Sequence, residues 1–224
     1  MIGIGGYLLM GFNEKLFEEN FTFAFKATVS NNFLIATKAF EDFWRKNNKF
    51  LMSADDLYGR ILYYAVNQQF KKAATKTADV YLVKDSQVSK YKNKAVFLST
   101  NDYVTSICRT EKPKKLPSKA KYKLELAQGN QNNNNQLLLD LDLPEISVTN
   151  MKKYAIIGYR YINGEMRHLN IIVPDSEFQE LLFDKDLLGN VKEYEQYVPE
   201  ELIYDQVSDL KNDIVATLKE AKIL

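Results

Sequence analysis

A chain of 224 residues and 25.9 kDa is long enough to bury a proper core, roughly 70% of the surface that its unfolded form exposes. Its 46% hydrophobic and 26% charged residues are the proportions of a globular protein and exclude disordered, collagen-like and membrane-embedded chains. Thirty Lys and Arg against twenty-nine Asp and Glu leave a formal charge of +1, so any attraction to nucleic acid or to a membrane surface has to come from a local patch.

The lone cysteine, Cys108, cannot close an internal disulfide and suits a reducing compartment, so a cytoplasmic location is expected. Residues 1–12 are apolar but carry no Lys or Arg, and they meet Glu14 and Lys15 far short of the ~20 residues that span a bilayer. They read as neither signal peptide nor anchor. The expected organisation is a mobile tail over 1–13 followed by a single domain over 14–224 with no membrane association.

Residues 14–29 carry two competing patterns. Phe17, Phe21 and Phe25 fall at helical spacing, while Phe21, Phe23, Phe25, Ala27 and Val29 alternate as in a strand, so a helix is expected to Asn20 with the rest open. Asn32 is placed to cap a helix through Asn47, with Phe33, Ala36, Phe40, Phe43 and Trp44 on one side. Ser53 has capping-box spacing to Asp56, and Leu57, Ile61, Leu62, Ala65, Val66 and Phe70 predict a helix over 54–74. Period two then sets in, predicting a short strand at 80–83, a second at 94–99 and a strand or short helix at 103–108. The stretch 109–135 is basic, then Asn-rich, with a strand expected at 121–126 inside it, and it reads as a loop or hinge.

In the second half, 137–143 alternates as a strand with Asp140 and Asp142 on its outer face. Residues 154–161 and 166–173 flank Asn163-Gly164, a pair that tolerates the positive φ angles of a type I′ hairpin turn. By parity Met166, His168 and Asn170 would share one strand face. Ser176 is expected to cap a short helix, 184–189 to form a turn, and Pro199 to open a last helix. In that helix Ile203, Val207, Leu210, Ile214 and Leu218 form one apolar stripe, able to pack on the sheet, on another protein or on a second copy. The sum is an α+β protein: N-terminal helices, then a mostly antiparallel sheet with an Asn-Gly hairpin, closed by a C-terminal amphipathic helix.

The most suggestive chemistry is the basic stretch. Arg109, Lys112, Lys114, Lys115, Lys119, Lys121 and Lys123 face only Glu111, and each could neutralise a nucleic-acid phosphate. Tyr91, Tyr122 and Tyr154 lie among lysines, the combination that supports base stacking on single strands. The bland alternative is a solvated Lys/Pro loop. Asp140 and Asp142, with Glu145 or Asp79, could hold a divalent cation for hydrolysis or nuclease chemistry, although no ordered nuclease motif accompanies them. His168, the lone histidine, and Cys108 could pair as base and nucleophile, but nothing beside Cys108 resembles an activating motif. Phosphate-loop, dinucleotide, zinc and serine-hydrolase motifs are all missing from the sequence, so no cofactor, metal or catalytic residue is assigned. The leading expectation is a nucleic-acid-associated accessory protein of the kind that mobile elements encode. A non-catalytic protein-interaction module and a metal-dependent hydrolase using Asp140 and Asp142 are the alternatives.

Overall fold

The computed structural model describes residues 12–51, 55–88, 94–131 and 151–197, together with 207, 208, 210–213, 215 and 216. Three helices come first: α1 (Glu14–Asn20), α2 (Phe23–Leu51) and α3 (Asp55–Ala73). Strands β1 (Leu82–Gln87), β2 (Lys94–Ser99) and β3 (Tyr103–Arg109) follow, then α4 (Lys121–Ala127), which runs into a 3-10 turn at Gln128–Asn130. Strands β4 (Lys153–Ile162), β5 (Glu165–Pro174) and β6 (Leu181–Asp186) lead into α5 (Leu188–Tyr197). The six strands form one sheet in the order β1-β2-β3-β4-β5-β6. Every neighbouring pair is antiparallel except β3 and β4, which run parallel, so two meanders are joined side by side. This is the expected α+β class.

The phenylalanine pattern of the first helices resolves in favour of the helix. Phe17, Phe21, Phe25, Val29 and Phe33 repeat every four residues and are fully buried, whereas Phe23, which the strand reading needs inside, is 70% exposed. A short break separates the two helices. Asn13 Oδ1 accepts the Leu16 N–H at 3.0 Å to cap α1, and Thr22 Oγ1 accepts the Phe25 N–H at 3.3 Å to begin α2. Asn32 is therefore inside α2 and caps nothing. Its amide donates to Tyr81 Oη at 2.9 Å and accepts from Gln69 Nε2 at 2.9 Å, tying α2 to α3 and to the entry of β1. Helix α3 agrees with the sequence reading, while Ser53 lies outside the described residues.

Alternation along each strand gives the sheet two unlike faces. One carries Val96, Leu98, Tyr103, Ile107, Ile157, Tyr159 and Ile171 against the N-terminal helices in the main core. The other carries Cys108, Tyr154, Ile156 and Ile172, covered by Ala127 and Leu124 of α4, Leu116 and Phe178. Val207 and Leu210 sink into the main core, and Lys211–Asp42 and Lys72–Asp213 ion pairs, both at 3.3 Å, hold their helical segment to α2 and α3. These two stripe residues are thus packed inside the chain. Ile203, Ile214 and Leu218, like the predicted start at Pro199, lie outside the described residues.

The Asn-Gly hairpin forms as expected, with Asn163 and Gly164 at φ 52° and 80°. Several other expectations are corrected. The predicted strand at 121–126 is helix α4, because the connection between two parallel strands must leave the sheet, and here it lies over Tyr154 and Ile156. The predicted helix after Ser176 is a turn followed by β6. Asp175 Oδ1 accepts the N–H groups of Gln179 at 2.6 Å and Glu180 at 3.0 Å, closing the turn before a helix can propagate. The first strand starts at Leu82 and not at Val80, since the N–H groups of Val80 and Tyr81 are both engaged by the Thr77 carbonyl. The expected turn at 184–189 is instead the end of β6 and the start of α5. Met166 does not share a face with His168: a bulge at Arg167 shifts the register, so Met166 packs in the main core while His168 points to the other face. Phe12 and Asn13 belong to the folded body, Phe12 stacking on Phe183 at 4.4 Å. The predicted strand at 137–143 lies outside the described residues.

Candidate nucleic-acid interface

Strand β3 ends at Arg109, and Thr110 extends its ladder by one bond, donating to the Tyr159 carbonyl at 3.0 Å. Residues 111–120 then leave the strand and cross the second face of the sheet before entering α4. Side chains of β4 and β5 fasten this loop. Thr110 Oγ1 and His168 Nε2 are 2.7 Å apart, and Arg160 Nη1 donates to the Glu111 carbonyl at 2.6 Å. Leu116 packs into the cluster beneath α4. Gly158 makes room at the root, since a Cβ there would sit 3.1 Å from Thr110 Oγ1. At the tip Lys114 adopts φ 57°, a left-handed conformation that costs a residue with a Cβ about 1–2 kcal/mol and that the surrounding anchors maintain.

The basic residues are displayed unequally. Arg109, Lys112, Lys114, Lys115, Lys119 and Lys121 are exposed. Lys115 pairs with Glu111 at 2.7 Å, both groups solvated so that a phosphate can displace the pairing, and Lys121 pairs with the mostly buried Glu125 at 3.6 Å. The Lys115 partner holds the Glu111 carboxyl below its ordinary range. Lys123 differs: it is buried, donates Nζ to the Ser118 carbonyl at 2.9 Å and sits over the Tyr122 ring at 5.8 Å, so it braces the loop.

The aromatic partners face inward. Tyr122 packs edge-on against Phe97 at 5.8 Å with its hydroxyl toward Cys108, and burial pushes that hydroxyl up from its usual range. Tyr154 is fully buried, its hydroxyl 2.6 Å from Ser106 Oγ. Tyr91 lies outside the described residues. The structure therefore gathers Lys112, Lys114, Lys115 and Lys119 on one loop, while Arg109 lies against Gly59 of α3 on the other side of the sheet, and neither Tyr122 nor Tyr154 is presented as a stacking surface.

Beneath the loop lies a polar group that reading along the chain does not single out as a unit. Thr110, His168 and Asn170 are each 4% exposed, and Asn170 donates to Asp184 Oδ1 at 2.9 Å. Burial and the Arg160 guanidinium hold His168 below its ordinary value, with Asp186 opposing them. Burial raises the Asp184 carboxyl, helped by Asp186 and opposed by Asn170 and Lys114. Even-numbered residues at 158, 160, 168, 170, 184 and 186 share this face only once the β4–β5–β6 register is known, which is why local parity alone does not assemble them.

Asp140, Asp142 and Glu145 lie outside the described residues, and Asp79 is exposed in the turn before β1. Among the described residues no group of three or more His, Cys, Asp or Glu side chains could hold a metal ion. Cys108 Sγ neighbours Ser106 Oγ at 3.5 Å while His168 Nε2 is engaged by Thr110, so the two residues have separate partners. No helix among the described residues is long and apolar enough to cross a membrane. Comparison with protein-family models, curated proteins and solved structures finds no match to this chain.

Proposed function

We propose that this chain is a non-catalytic accessory protein that binds the phosphate backbone of nucleic acid without reading sequence, in the reducing interior that its lone thiol suits. The observation that carries this reading is the fastened loop, which holds Lys112, Lys114, Lys115 and Lys119 outward on one exposed segment that leads into Lys121. A pre-ordered row of cations loses less conformational entropy on meeting a polyanion than a free tail does. Burial of Tyr154 and the packing of Tyr122 favour charge over base stacking as the means of attachment.

The test is the salt dependence of binding. In fluorescence anisotropy with a short duplex, the variant carrying Lys114→Gln, Lys115→Gln, Lys119→Gln and Lys121→Gln is expected to bind more weakly. Its slope of log affinity against log salt should be shallower by up to about 4, roughly 0.9 for each phosphate no longer neutralised. Equal affinity and slope for both proteins, or no binding by either at low salt, rejects the proposal.

A further inference from the structure

We infer that the cleft between α2, the β4–β5 hairpin and α5 binds a small organic anion with an apolar body, a carboxylate carried on an aliphatic chain. The cleft lies on the helical side of the sheet, away from the loop at 111–120, and goes beyond the phosphate-binding reading. Helix α2 supplies one wall. Leu34, Thr37, Lys38, Glu41, Asp42 and Arg45 recur at the three- and four-residue spacing of a single helix face. Opposite stand Tyr161 and Met166 of the hairpin, Leu188 and Val191 of α5, and Val207. These elements enclose a half-open space of about 520 Å³, within the roughly 300–1,000 Å³ that small-molecule sites occupy.

The lining is of two kinds. Leu34, Tyr161, Val191 and Val207 are buried and Met166 and Leu188 half-buried, so an apolar chain entering here exchanges water for hydrocarbon. The rim is charged, and the sign of the missing head group follows from which charges already have partners. All three carboxylates are engaged. Asp42 is held by Arg45 and Lys211, both at 3.3 Å, Glu165 by Arg167 at 2.8 Å, and Glu41 by the Tyr58 hydroxyl at 3.3 Å. The cations are not used up in the same way. Lys192 is exposed and pairs with no carboxylate among the described residues. Arg45 is exposed too and shares Asp42 with Lys211, so most of its guanidinium donors stay open to a ligand. A carboxylate finds spare donors at this rim, whereas an ammonium finds acids that are already taken.

The lone tryptophan, Trp44, precedes Arg45 on α2 and lies 4.9 Å from the Tyr58 ring, whose hydroxyl reaches Glu41, so its emission reports occupancy. The full chain is titrated with decanoate below its micellar concentration, with 1-decanol and decyltrimethylammonium as neutral and cationic counterparts and acetate as the head alone. Decanoate is expected to saturate one site and to bind at least about tenfold more tightly than each of the other three. Amide shifts should centre on Thr37–Arg45 and Leu188–Lys192. Arg45→Gln with Lys192→Gln changes only exposed side chains and should weaken decanoate by about tenfold or more while leaving 1-decanol unchanged. The site is overturned if decanoate does not saturate, if its shifts fall elsewhere on the chain, if decyltrimethylammonium or 1-decanol binds as tightly, or if the double variant binds decanoate like the parent.

Discussion

Replacing Leu210 with aspartate is expected to cost the folded chain at least about 4 kcal/mol. Leu210 is fully buried in the main core, so the substitution forfeits roughly 1.5–3 kcal/mol of apolar burial and strands a carboxylate among hydrocarbon. The nearby ion pairs of Lys211 with Asp42 and Lys72 with Asp213 are already formed and offer the new charge no free partner of their own. Against a total stability of about 5–15 kcal/mol this is a large fraction, and urea unfolding should show it directly. The loss should not depend on protein concentration. A variant that keeps its midpoint and merely passes from dimer to monomer in sedimentation would mean that the C-terminal stripe is a surface for another molecule.

Asn130→Ala is expected to cost about 3–9 kcal/mol, although it removes only a small side chain at the end of a 3-10 turn. Extending the Ile156–Ile172 register by two residues sets Tyr154 opposite Pro174, which has no N–H to give. The Asn130 amide fills the gap as a surrogate peptide group. Its Nδ2 donates to the carbonyls of Tyr154 at 2.9 Å and Pro174 at 2.8 Å, and its Oδ1 accepts the Tyr154 N–H at 2.8 Å. Alanine leaves these three buried backbone groups without that partner, each at about 1–3 kcal/mol, so a sum of the stated size follows. Thermal unfolding of Asn130→Ala beside Asn130→Asp checks this bridge. Aspartate retains the acceptor but loses both donations, so it should also be strongly destabilising, whereas a loss below about 1 kcal/mol in either variant would contradict the assignment.

How much of this is legible in the sequence follows from the range of each signal. The Asn163-Gly164 turn is set by two adjacent residues and is readable outright, as is the apolar stripe of α3. Helix α4 reads wrongly because Tyr122, Leu124 and Leu126 alternate like a strand. Which of them is buried depends on β3 and β4 lying parallel beneath, a pairing between distant segments. The bulge at Arg167 reverses the expected parity of Met166 against His168, since one inserted residue exchanges the faces of everything before it. The cations of the candidate interface are visible as a run of letters. That Lys123 is buried as a brace, that Tyr122 turns toward Cys108, and that Arg160 and His168 fasten the loop from two strands are consequences of register and are not.

Phosphate binding by this chain requires the loop at 109–121 to be a fixed, outward-facing cationic surface, and the most direct measurement is an amide chemical-shift titration of the full chain with a short duplex at low salt. Shifts are predicted at Lys112, Lys114, Lys115 and Lys119 and at Arg160 beneath them, weakening together as salt is raised. Shifts confined to α5 or to the face of α2, with the loop amides unmoved, would contradict it.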